Sequence, residues 1–147
     1  MMKVEFHSGV ADKLGAAWRF LRKAQSAAAT VVVCADDATL DRLDAALWTA
    51  DPLSFLPHVR VKGSLPVAPA LLARTPTWLV DDAASVASRE VLLNLGADMV
   101  TGWEQFERVV EIVASQAEDA AAGRRRWRQY GARPGTELVH HTHGAAA

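Results

Sequence analysis

The sequence predicts an α/β fold, with a mostly parallel sheet covered by helices on both faces. Three observations carry that expectation. Short β-branched runs alternate with amphipathic helical stretches along the chain. One run, Val31-Val32-Val33-Cys34, is apolar without interruption, as a strand buried on both faces of a parallel sheet must be. No internal repeat or composition break divides the 147 residues, a length that suits one domain with one core.

Residues 4–7 read as the first strand. Beyond Ser8-Gly9, Val10, Leu14, Ala17, Trp18 and Leu21 fall on one helical stripe, with Asp12, Lys13, Arg19 and Arg22 off it. A strand over 30–34 follows. Asp36-Asp37 then opens a second helix whose core stripe is Leu40, Leu43 and Leu47, its acids placed where the helix dipole favours them. Asp51-Pro52 begins a loop, 58–61 reads as a short strand, and 63–76 is Pro-punctuated and poorly periodic. Residues 77–80 and 91–95 are further strands. Thr101 or Gly102 is expected to cap a helix in which Phe106, Val109, Val110 and Val113 recur at helical spacing. A last helix spans about 118–130. Gly131, Pro134 and Gly135 then stop regular structure, so 1–133 form the single domain and 134–147 a flexible tail.

Composition narrows the function classes. Sixteen basic residues against seventeen acidic ones give a formal charge of −1, whereas a protein that neutralises many phosphates carries a basic excess. Any basic patch is therefore local. Cys34 is the only cysteine, which excludes an internal disulfide and a cysteine zinc site; within its apolar run it reads as a buried, inert thiol. There is no secretory signal and no apolar window near the roughly 18 residues of a membrane helix. The chain reads as cytoplasmic, with no membrane partner.

Enzyme readings find no support. The first strand–helix turn, His7-Ser8-Gly9-Val10-Ala11-Asp12-Lys13, has one glycine where the dinucleotide fingerprint needs three, and no Walker spacing follows. Asp81-Asp82 and Asp36-Asp37 are explained as acids leading into a connection or a helix start. No serine has a nucleophile-elbow context. His140, His141 and His143 lie close enough to bind a metal adventitiously, but they fall in the tail, so no metal or cofactor is expected.

Two segments carry more information. In Leu43-Asp44-Ala45-Ala46-Leu47-Trp48, helical phase sets Trp48 about a quarter-turn or more from the leucine stripe. Phe55 follows in a Pro-bounded loop. Two aromatics near solvent beside Asp41, Asp44 and Asp51 resemble the anchors and polar rim of a protein interface; folding back to close the core is the equal alternative. The second segment is Arg124-Arg125-Arg126-Trp127-Arg128-Gln129-Tyr130, where Arg124, Trp127 and Arg128 share a helix face. Guanidinium forks beside an aromatic wall suit the carboxylate of an acidic peptide's C-terminus. They suit phosphates with base stacking as well, the single-stranded nucleic-acid alternative.

Together these segments resemble the chi subunit of bacterial DNA polymerase III. The resemblance rests on Leu43-Asp44, Leu47-Trp48, Ser54-Phe55 and Pro57-His58, on Phe106-Glu107 with Val109-Val110, and on Arg124, Trp127 and Tyr130, and it runs to about Arg133. It implies a Rossmann-like fold without nucleotide chemistry and a non-catalytic adaptor that contacts DNA indirectly. Such an adaptor links the clamp loader, through the psi subunit, to the acidic, Phe-ended C-terminal tail of single-stranded-DNA-binding protein. Trp48 and Phe55 would receive psi or a repair helicase. Arg124 would hold the tail's carboxylate, Val113 and Trp127 its Phe ring, and Arg128 its aspartates. Trp127 stands where the family pattern has tyrosine. Ala120 stands where a basic residue is expected, with Arg125 and Arg126 as its substitutes.

Overall fold

The computed structural model describes residues 2–49, 56–62, 75–87 and 89–143. Among them, seven strands form one all-parallel sheet. They are β1 (Met2–Val10), β2 (Val31–Cys34), β3 (His58–Val61), β4 (Thr77–Val80), β5 (Val91–Asn94), β6 (Arg108–Ala114) and β7 (Thr136–Thr142), in the order β3-β4-β2-β5-β6-β1-β7. Helices α1 (Lys13–Ser26) and α2 (Asp37–Thr49) pack on one face and α3 (Ala117–Gly131) on the other.

Side-chain alternation along the strands builds both layers at once. Val31 and Val33 join Ala17 and Leu21 of α1 and Leu40, Leu43 and Leu47 of α2. Val32 and Cys34 point the other way, into a layer with Trp78, Val109 and Tyr130. A sheet buried on both faces explains why β2, β4 and β5 are buried at every position. The helix starts follow from their caps. Asp12 accepts the Gly15 amide at 3.0 Å, and Asp36 accepts the Thr39 amide at 3.2 Å. Asp36 thus caps the helix start at which the sequence places it.

Two expectations need correction. The helix expected to follow Thr101 or Gly102 is absent: a short 3-10 turn, Trp103–Gln105, leads into strand β6. Val109, Val110 and Val113 mimic helical spacing because β6 is buried along almost its whole length, so its apolar residues do not alternate. The second correction concerns 134–147. Thr136–Thr142 is a strand paired in parallel with β1, from Met2 opposite Thr136 to Ser8 opposite Thr142. Being an edge strand, β7 is half exposed and carries little apolar pattern.

The β1–β7 pairing reaches its limit at Gly9. Its φ of +70° lies in the left-handed region, and a β-carbon there would stand 2.5 Å from the His143 carbonyl oxygen. Glycine alone satisfies both conditions.

Candidate functional site

Helix α3 is oriented by charge as well as by apolar contact. At its start, Asp119 accepts the Ala114 amide at 2.7 Å and pairs with Lys13 at 3.0 Å. Farther along, Arg126 and Tyr130 turn inward onto Glu111 of β6, and all three are buried. Arg126 Nε donates to Glu111 Oε1 at 3.0 Å; the Tyr130 hydroxyl donates to Oε2 at 2.6 Å, and Asn94 Nδ2 donates to the same oxygen at 3.0 Å. Burial pushes the Glu111 carboxyl up, against the pull of Arg126 and the hydroxyl and amide donors. Burial and the Glu111 charge push the Tyr130 phenol far above its ordinary range. This polar network sets the roll of α3 about its axis.

With Arg126 and Tyr130 inward, Arg124 and Trp127 fall on the flank of α3 that faces β1 and β6. The helix lies close to the sheet there because residue 123 is glycine: a β-carbon on it would meet both Val113 methyls at 2.9 Å. Trp127 stands edge-on to Phe6 with ring centroids 5.2 Å apart. The result is an open groove of about 520 Å³, lined by Phe6, Val113, Gly123, Arg124, Trp127 and His140. It has an apolar floor and an exposed guanidinium at its margin. Such a shape accepts an apolar ring that carries a carboxylate.

The structure thus brings Val113, Arg124 and Trp127 together, although Val113 arrives on a strand. Arg128 is exposed and does not line the groove. Ala120 does line it, at the position where a basic residue is expected. Neither suggested substitute is beside it. Arg126 is locked onto Glu111, and Arg125 lines a separate hollow with Asp12 and Asp36.

Trp48 lies on the opposite side of the sheet. It is 60 % exposed, the only large hydrophobic side chain so exposed among the described residues. Its ring centroid is 5.2 Å from that of buried His58, whose Nε2 lies 2.9 Å from Asp44 Oδ1. The open choice for Trp48 therefore resolves toward solvent. Phe55 lies outside the described residues.

Sequence reasoning did not anticipate the parts played by Gly123, Phe6 and His140. A glycine inside a helix was a usable signal for the first, because it marks a close approach. Among the described residues, no group of three or more His, Cys, Asp or Glu is placed to hold a metal ion. Asp81 pairs with Arg60 at 2.8 Å, and Asp82 caps a short turn by accepting the Ala84 amide at 3.0 Å. No helix among the described residues is long and apolar enough to cross a membrane.

A family model described as DNA polymerase III chi subunit, HolC, matches residues 1–138. No curated protein matches the chain.

Proposed function

The chain belongs to the family of DNA polymerase III chi subunits, and from that premise we propose that it acts as a non-catalytic adaptor. One face takes the acidic, Phe-ended tail of single-stranded-DNA-binding protein; the other takes psi and through it the clamp loader. The observation that carries the reading is the convergence of Val113, Arg124 and Trp127 on one apolar groove with a cation at its margin. Arg124 pairs with the tail's terminal carboxylate, and the terminal ring lies against Val113 and Trp127. Exposed Arg128, one turn on from Arg124, attracts the tail's aspartates from outside the groove. Exposed Trp48 is the anchor of the psi face. The residues on both faces bind and orient; none is assigned a bond-making step.

The test is calorimetric titration with an acidic peptide ending in Pro-Phe, run beside its C-terminally amidated form and a single-stranded oligonucleotide. The free-acid peptide binds, amidation weakens it severely, and Arg124→Ala removes roughly 1.5–3 kcal/mol, the scale of a charge-assisted hydrogen bond. Equal binding of both peptide forms, with the oligonucleotide binding as tightly, sinks the adaptor reading in favour of direct nucleic-acid binding.

A further inference from the structure

The groove has a second polar element that the chi family model does not reach. His140 lies on β7, two residues past the matched segment, 1–138, and lines the groove opposite α3. Its Nε2 lies 2.6 Å from Ser8 Oγ on neighbouring β1, and its ring is tilted against Trp127 with centroids 5.7 Å apart. Phe6, Ser8 and His140 share the sheet face toward α3 because each strand turns alternate side chains to it. Among the described residues, His140 Nδ1 has no partner. The Ser8 hydroxyl can donate to Nε2 or accept from it; in the arrangement in which it donates, the ring carries its proton on Nδ1.

Resting on the adaptor reading above, we propose that His140 is a second contact for the bound tail: its Nδ1–H donates to a main-chain carbonyl of the peptide. The chemistry fits an extended peptide whose end is held elsewhere. Arg124 on the helix side takes the carboxylate, Val113 and Trp127 take the ring, and the main chain entering from the strand side presents carbonyl oxygens that need donors. Ser8 is a positioning residue, which holds the orientation of the His140 ring and, as donor to Nε2, matches the Nδ1–H tautomer the contact requires. A ligand with a carboxylate and a ring but no peptide backbone meets only the first two contacts.

The experiment titrates the full chain and its variants with the Pro-Phe-ended peptide and with a small aromatic carboxylate. His140→Phe keeps a ring against Trp127 and removes the donor, so it weakens the peptide about three- to tenfold and leaves the aromatic carboxylate unchanged. His140→Asn, whose amide stands near the position of Nδ1, retains most of the affinity. Ser8→Ala weakens the peptide less than His140→Phe and adds nothing to it in the double variant. If His140→Phe binds the peptide as tightly as the parent while Arg124→Ala is weak, the His140 contact is wrong and the adaptor reading stands. If His140→Asn is as weak as His140→Phe, the donor role is overturned. If Arg124→Ala also binds normally, the adaptor reading falls with it.

Discussion

Gly123 of α3 and Val113 of β6 approach so closely that a β-carbon on the glycine would meet both valine methyls at 2.9 Å. This contact is the floor of the groove. Gly123→Ala gains up to ~1 kcal/mol of helix propensity but must push α3 off the sheet, an overpacking cost of about 1–3 kcal/mol. Urea unfolding of the variant should show a net loss, and calorimetry a weaker Pro-Phe peptide. Adding Val113→Ala should restore stability but not affinity, since the groove then lacks its apolar wall.

Arg126 and Glu111 form a buried pair whose separation leaves a charge without compensation. Arg126→Met should therefore cost about 3–5 kcal/mol. Replacing Glu111 by Leu in the same chain should recover much of that loss. Chemical denaturation of the two variants checks the prediction, and equal stability of the single and double variants would refute it.

Trp48 offers the opposite case. Because most of its ring is already in solvent, Trp48→Ala should change unfolding free energy by no more than about 0.5 kcal/mol. The same variant should lose clamp-loader components in a pull-down while binding the peptide normally. Retention of those components moves the psi face elsewhere.

The β1–β7 edge should be sensitive to acid. His7 stacks on His141 at 4.8 Å, and its Nδ1 lies 3.1 Å from His143 Nε2. Burial, then the neighbouring His141 and His143, hold the His7 imidazole below its ordinary 6.5, with Glu5 pulling the other way and Arg108 adding to the depression. The unfolded chain thus takes up this proton first. Stability tied to neutral His7 is present above 6.5 and is lost as pH falls through that value toward the lower folded one. Melting followed from pH 8 to 5 should show the loss, and His7→Phe should flatten it. Glu5 acts in a separate window. Burial raises its carboxyl, but Arg108 and Lys3 outweigh that and hold it below 4.5, so its contribution disappears only in stronger acid.

Much of the architecture was legible where burial is uniform or strictly one-sided. The uninterrupted apolar run of β2 and the Leu40/Leu43/Leu47 stripe of α2 leave little freedom. Two elements were not legible, for opposite reasons. In β6 every residue from Val109 to Ala114 is buried, so no alternation marks it as a strand, and Glu111 looks out of place until Arg126 and Tyr130 arrive from distant sequence. In β7 too little is buried to leave any apolar pattern. The site followed the same division. Arg124 and Trp127 announce themselves by residue type and spacing within one helix. Gly123, Ser8 and His140 matter only through partners on other strands, which spacing along the chain cannot show.

The position of β1 has a consequence for how the protein is made. It lies between β6 and β7, with Lys3 opposite both Arg108 and Glu137. It is therefore made long before either neighbour exists, and it has no partner on either hydrogen-bonding edge until β6 follows. The groove beside Trp127, walled by β1, β6, β7 and α3, can form only once all four have been made.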